Sequence, residues 1–217
     1  GKNPYRKIGA DFTYDLEQLG QNSQGFSDDN FISSLLRRSP NDKQSLVEGY
    51  NIYYDHEWFT GFSTKVSFDQ RKMFPVGDLI FQIWDGEQYS TIDAIRTSEV
   101  GLKIRFAYDE KYLMGEFERI NLGTTYPVLE LNLTYGVPGL FSANNEYLRM
   151  RFQTRHWFNV FNIGWSSYVF EVGKLWGTVP YPLLEIAPGN QTLIYDKYAY
   201  NLMNYYEFIN DEYISLF

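Results

Sequence analysis

Carboxylates recur at alternate positions in several segments of this chain, at Asp11, Asp15, Asp55, Glu57, Asp69, Glu99, Asp109, Glu130 and Glu171. Two carboxyl groups facing each other across neighbouring strands are what glycoside hydrolysis requires, one as acid and the other as base or nucleophile. The same positions also carry Lys7, Lys65, Arg71, Lys103, Arg105, Arg149, Arg151 and Arg155. Mixed signs on one wall point to cross-strand ion pairs rather than a tuned acid–base couple. They also differ from the single-sign ring of a selectivity filter. Arg149, Arg151 and Arg155 form the one local bias. They could attract an anion, but pairing with neighbouring acidic strands is the stronger expectation. No catalytic residue is assigned, and the chain is read as non-enzymatic.

Metal and cofactor chemistry finds little to build on. The two histidines, His56 and His156, lie at strand ends beside Trp58 and Trp157, and HEWF lacks the second histidine of a zinc-binding HExxH. FSDDN (26–30) lacks the ligand spacing and closing Glu of an EF-hand. There is no cysteine, which excludes thiolate sites and disulfides. A P-loop, a Gly-rich dinucleotide turn and a GxSxG elbow are all missing from the sequence. Asn132-Leu-Thr and Asn190-Gln-Thr match the N-glycosylation pattern, which is common by chance. The net charge of −8 argues against a nucleic-acid partner. No cofactor or metal is expected.

The elements that position these charges are strands. In TSEVGLKIRFAYDE (97–110), Val100, Leu102, Ile104, Phe106 and Tyr108 alternate with Glu99, Lys103, Arg105 and Asp109. This is a two-residue period with one apolar and one charged face. Similar alternation begins at Ile8, Tyr50, Phe62, Leu129, Leu148 and Tyr168, and a less regular last strand falls within 201–217. That makes about eight strands, most near ten residues long. Segment 28–38 is expected to form a short helix from its Asp28 cap and the Phe31, Leu35 spacing. WFTGF (58–62) and WFNVF (157–161) read as tight turns flanked by aromatics. The connections 17–47, 73–97, 136–146 and 174–200 are long. In a meander the long ones then fall at one end and the tight turns at the other. The connection 109–124 fits only if the flanking strands extend through Tyr112 and Ile120.

Short turns opposite long loops are the signature of an outer-membrane barrel. Aromatic residues make up 19% of the chain, including 19 Tyr and 17 Phe, as the aromatic girdles of such barrels would require. Mean hydropathy is −0.39 and no run has the 18 apolar residues of a membrane helix, but a membrane strand needs only about 9–11 residues with one apolar face. A soluble all-β sandwich or small barrel also alternates, with shorter strands and a face richer in Val, Ile and Leu. The chain opens GKNPYRK, without Met or a signal-peptide pattern, so a removed leader or a longer parent protein is expected.

GTVPYPLLEIAPGN (177–190) is the longest apolar stretch that does not alternate, and it holds three prolines. Apolar residues on a loop need shelter, and the barrel lumen is the nearest. The longer segment GKLWGTVPYPLLEIAPGNQTLIYDKYAYNLMNYYEFINDEYISLF resembles the barrel domain of a Gram-negative family of unknown function. That family joins an N-terminal carboxypeptidase-regulatory-like domain to a C-terminal outer-membrane barrel. YDLEQLGQ (14–21), EWFTGFS (57–63) and FERINLGTTYPVLELNLTYG (117–136) carry the same resemblance. The family is distantly similar to BamA-like insertases and bacterial surface antigens, whose barrels have about sixteen strands, with a long loop folded into the lumen and five strands after it. This chain has one strand after its loop, so the resemblance implies further strands beyond Phe217 and before residue 1. It lacks the VRGF-type loop signature of the insertases, and insertase activity is not carried over.

The expected fold is all-β, an antiparallel up-and-down transmembrane β-barrel of which residues 1–217 form a segment. Loop 174–200 is expected on the extracellular side, folded toward the lumen through Gly177, Thr178, Val179, Pro180, Tyr181, Pro182, Leu183 and Leu184. Lys103, Arg105, Arg149, Arg151, Arg155, Glu130 and Glu171 are expected to face the lumen. Trp58, Phe62, Trp157 and Phe158 are expected at the membrane interface. The expected role is envelope biogenesis or transport in the bacterial outer membrane, with outer-membrane lipid and other envelope proteins as partners. The alternatives are an open-lumen diffusion or ligand-uptake channel and a soluble all-β binding domain.

Overall fold

The computed structural model describes residues 5–18, 44–84, 86–115, 119–189, 195, 199–203 and 207–217. The helix expected at 28–38, the FSDDN segment and Asn190 lie outside the described residues. In chain order the strands are β1 (Arg6–Gln18), β2 (Gln44–Phe59), β3 (Phe62–Pro75), β4 (Phe81–Trp84), β5 (Tyr89–Ile92), β6 (Ile95–Ala107) and β7 (Lys111–Met114). They continue with β8 (Arg119–Gly123), β9 (Val128–Gly136), β10 (Tyr147–Asn159), β11 (Trp165–Gly177), β12 (Glu185–Ile186), β13 (Ile209–Asn210) and β14 (Glu212–Leu216). Among the described residues no helix is long and apolar enough to cross a membrane, which says nothing of crossing by strands.

Eight of these strands form one antiparallel sheet in the order β1-β2-β3-β6-β9-β10-β11-β14. Each strand pairs with its predecessor in the sheet, as the alternating segments and their connections imply. The sheet is open: β1 and β14 are its two outer strands, and these residues do not close a barrel. Several strands are longer than expected, with 16 residues in β2 and 13 in β1, β6, β10 and β11. The connection 109–124 does not extend β6 and β9. Instead β7 and β8 pair only with each other, and the large sheet stops at Ala107. Two more two-stranded pairs stand apart from it, the β4–β5 hairpin and the short pairing of β12 with β13.

Register fixes which residues share a face, because side chains alternate along each strand. Ile52 lies opposite Ala10 and Phe68, Phe68 opposite Val100, Leu102 opposite Leu133, Leu133 opposite Met150, and Phe152 opposite Val172. The other face gathers Glu17, Arg71, Glu99, Lys103, Arg105, Glu130, Arg151, Gln153 and Glu171. Burial on the two faces is the reverse of a water-soluble sheet. Ile8 is 78% exposed and Ile52 59%, whereas Glu130 is 7% exposed and Gln153 5%. Phe12, Tyr14, Val66, Val100, Ile214 and Leu216 are likewise exposed.

The tight turn between β2 and β3 needs Gly61. Its φ is +88°, and a Cβ there would lie 1.9 Å from the Ala107 carbonyl oxygen. The Gly61 carbonyl accepts from the Ala107 N–H at 2.7 Å, which ties this turn to the end of β6. At the opposite end of the sheet, an apolar cluster sits on the charged face. It comprises Val47, Met73, Phe81, Ile95, Tyr147, Leu175 and Leu183, with Leu79, Ile92 and Val179 against it. The sheet, the β4–β5 hairpin and the 177–189 loop meet in this cluster.

Candidate functional site

The charged face divides into two networks. In the first, strand alternation places Lys103 and Arg105 on one side of Glu130 and Arg155 on the other. Lys103 Nζ lies 2.7 Å from Glu130 Oε2, Arg155 Nη2 3.0 Å from Oε1, and Arg105 Nε 3.7 Å from Oε1. Arg105 also grips Glu110 with two parallel bonds, Nη1 to Oε2 at 2.8 Å and Nη2 to Oε1 at 2.5 Å. Asn121 Nδ2 and the Tyr112 hydroxyl, both on the β7–β8 hairpin, donate to the same carboxylate. Arg119 on that hairpin reaches across to Glu57 at 2.7 Å. The hairpin is therefore fastened to the charged face at three points.

Glu110 is only 4% exposed. Burial alone would raise its pKa, but bonds from Arg105, Tyr112 and Asn121 favour the carboxylate and bring it down to about 2. Burial, together with the neighbouring Glu110 carboxylate, pushes the Tyr112 hydroxyl up to about 12. Between the hairpin and the wall lies a cleft of about 420 Å³, lined by Asp55, Glu57, Arg105, Tyr112 and Arg119 among others. A second cleft of about 410 Å³ lies between the hairpin and the start of β11, with Arg155, Trp157 and Val169 in its lining.

The second network joins the 177–189 loop to the wall. Gly177 and Thr178 are exposed, Val179 is half-buried and Pro180 buried. Tyr181, Pro182 and Leu183 make one 3-10 turn, closed by the Leu184 N–H donating to the Tyr181 carbonyl at 3.2 Å. This turn inserts Leu183 into the apolar cluster and aims Glu185 at β10. Arg149 Nε lies 3.1 Å from Glu185 Oε1 and Arg151 Nη2 2.9 Å from Oε2. Arg149 Nη2 also donates to the Leu183 carbonyl at 2.6 Å. Behind them, Arg151 Nε is 3.6 Å from Glu171, which also accepts from Gln153 and from the Tyr213 hydroxyl.

Three tyrosines on this face lie over glycines directly opposite them in the register. Tyr53 covers Gly9, Tyr147 covers Gly136 and Tyr213 covers Gly173. A Cβ on Gly173 would come within 2.2 Å of the Tyr213 ring. Two of these rings carry their hydroxyls to carboxylates, Tyr147 to Glu99 and Tyr213 to Glu171.

Of the four candidate interface aromatics, Trp58 and Phe62 lie with the apolar face. Trp58 stands edge-on to His56 and donates from Nε1 to Thr64 at 3.0 Å, and Phe62 packs on Phe59 and Phe106. Phe158 stacks with His156 and contacts Tyr168. Trp157 takes the register position of the charged face, in line with Arg151 and Arg155. Among the described residues, no group of three or more His, Asp or Glu could hold a metal ion.

Sequence reasoning identified the arginines of β10 but missed Glu185, Glu110, Tyr112, Asn121 and Tyr213. Glu185 had a local signal: it is the only charge in GTVPYPLLEIAPGN. The others come together only through hairpin folding and register. The chain matches, over residues 15–216, a family described as "Family of unknown function (DUF5686) C-terminal domain". No curated protein and no solved structure matches it.

Proposed function

We propose that this chain, which belongs to the DUF5686 C-terminal domain family, is a wall segment of a larger outer-membrane β-barrel of the BamA-like type. Its role is non-enzymatic, in envelope biogenesis or transport. The observation that carries this reading is the inverted burial of the sheet, with Ile8, Phe12 and Ile52 exposed while Glu130 and Gln153 are buried. In water an exposed apolar face of this extent is unfavourable, whereas lipid accepts it.

The distribution of charge on the apolar face supports the reading. Arg6 stands at the tight-turn end, and the next charges on that face are Glu48, Lys72 and Arg96, and Lys174 with Glu212, near the other end. From Phe106 to Arg96 the span is ten residues, roughly 33 Å along the strand at ~3.3 Å per residue. At a tilt of ~40° that corresponds to about 25 Å of height, the apolar band of an outer-membrane barrel. The charged face then lines a lumen occupied by ion pairs, the 177–189 loop and the β7–β8 hairpin. Among the described residues the outer edges of β1 and β14 are unpaired, and these are where further strands would join.

The complete protein should require detergent or bilayer to remain monodisperse. A monomer stable in plain buffer would overturn the membrane reading and leave a soluble all-β domain. The clefts beside the hairpin favour a second reading, an uptake or diffusion channel with an open lumen. Single-channel conductance separates the two, because a large steady pore contradicts a filled lumen.

A further inference from the structure

On the apolar face, Lys72 of β3 lies directly opposite Arg96 of β6. Like charges at directly opposed positions repel and destabilise a sheet unless something lies between them. Among the described residues neither cation forms an ion pair. Lys72 Nζ instead sits 4.5 Å over the Phe74 ring. The nearest carboxylate in the same row is Glu48, opposite Lys72 on its other side, and it accepts from the Tyr50 hydroxyl at 3.1 Å. Its distance from Lys72 exceeds that of a salt bridge, and the row keeps an excess of one positive charge.

The residues below the two cations form a graded series. One step toward the centre of the sheet, Gln70 faces Ser98, and the step after that Phe68 faces Val100. The Ser98 hydroxyl donates to the Leu140 carbonyl at 2.9 Å, which brings the 140–142 turn onto this face. That turn sets the Phe141 ring 6.2 Å from Phe68. Paired cations, then uncharged polar groups, then aromatic and aliphatic surface follow each other within about four residues. An amphiphile with an anionic head, a polar backbone and acyl chains has the same order.

We infer that Lys72 and Arg96 bind the phosphate of a phosphorylated lipid in the leaflet at the long-loop end, with its acyl chains against Phe68, Val100 and Phe141. Charge-assisted bonds from an ammonium and a guanidinium are suited to a phosphate, and the guanidinium can meet it with two donors. The inference rests on the membrane reading above.

The test uses the full-length protein in detergent and diphosphoryl lipid A as probe, with bound lipid counted by native mass spectrometry. Replacing both cations (K72Q with R96Q) should weaken binding tenfold or more, while R96K keeps most of it and R6Q, at the opposite end of the face, leaves it unchanged. Inorganic phosphate at the same concentration should not displace the lipid. Undiminished binding by the double variant overturns the inference, and so does full displacement by inorganic phosphate, which would mark a plain anion site. A wild-type protein that is monomeric without detergent removes the membrane reading itself. A detergent-dependent protein whose double variant still holds lipid removes only this inference.

Discussion

Arg105 and Glu110 meet through two parallel hydrogen bonds at the point where the large sheet ends and the β7–β8 hairpin begins. They are five positions apart in the chain, so the pair closes a short loop and locks the chain as it leaves β6. Removing one partner of a buried pair leaves the other charge without compensation, which costs more than the pair itself contributes. Glu110→Gln should therefore lower stability by about 2 kcal/mol or more in detergent-solubilised full-length protein. Loss should appear first as faster proteolysis within 111–123. A change below about 0.5 kcal/mol would assign the hairpin's anchorage to Arg119 and Glu57 instead.

The same carboxylate predicts a pH dependence. Its pKa in the folded protein is about 2, against about 4.3 when unfolded. A depressed carboxylate pKa contributes stability that is complete above the unfolded value and is lost as pH falls through the folded one. The contribution, about 3 kcal/mol by linkage, should fade between roughly pH 5 and 2. The stability gap between wild type and Glu110→Gln should therefore narrow from pH 7 to pH 3. A gap of constant size would show that Glu110 is not held in its charged form. Tyr112 acts at the other limit, since its raised pKa gives stability that is present below about pH 10 and lost toward 12.

Gly173→Ala should displace the Tyr213 ring, whose nearest atom lies 2.2 Å from the position of the new Cβ. The ring's bond to Glu171 would be lost with it. Overpacking of this kind costs about 1–3 kcal/mol. Gly173→Ala combined with Tyr213→Ala should cost less than the sum of the two single changes. Strict additivity would refute direct contact as the cause.

Ile52→Arg distinguishes lipid from water at the apolar face. Ile52 is 59% exposed and lies midway between His56 and Glu48 along β2. In water such a surface change would fall within about 0.5 kcal/mol of neutral. At the midplane of a bilayer it should cost about 2–4 kcal/mol. Reversible unfolding of the full-length protein in lipid vesicles measures the difference.

Deleting Val179 to Pro188 removes both Leu183 from the apolar cluster and Glu185 from Arg149 and Arg151. Conductance of the reconstituted protein should rise. An unchanged current would mean that this loop does not obstruct the proposed lumen.

Much of the sheet was legible in the sequence because alternation with a period of two is a direct image of its two faces. The segments starting at Ile8, Tyr50, Phe62, Val100, Leu129, Leu148 and Tyr168 all became strands of the large sheet. The small hairpins were not legible. Four residues, as in Phe81–Trp84 and Tyr89–Ile92, are too few for a period to show. The β7–β8 pair was expected to continue its neighbours, since nothing local tells a strand that extends a sheet from one that leaves it. The networks were harder still. Arg119 and Glu57 are 62 residues apart, and Arg149 and Leu183 are 34. Their meeting depends on register and on a loop's return path, which sequence spacing does not encode.

The order of the sheet has a consequence for how such a wall is made and remade. Among the described residues each strand is bonded only to those before and after it in the sheet's chain order, so no strand waits for a distant segment before it can pair. The wall can grow by accretion, one hairpin at a time, with loop-closure entropy kept small at each step. Adding or removing a hairpin at the β1 or β14 edge would leave the register of every other pair intact. In the proposed barrel, the perimeter would thus be a variable that duplication or loss of a single hairpin can change.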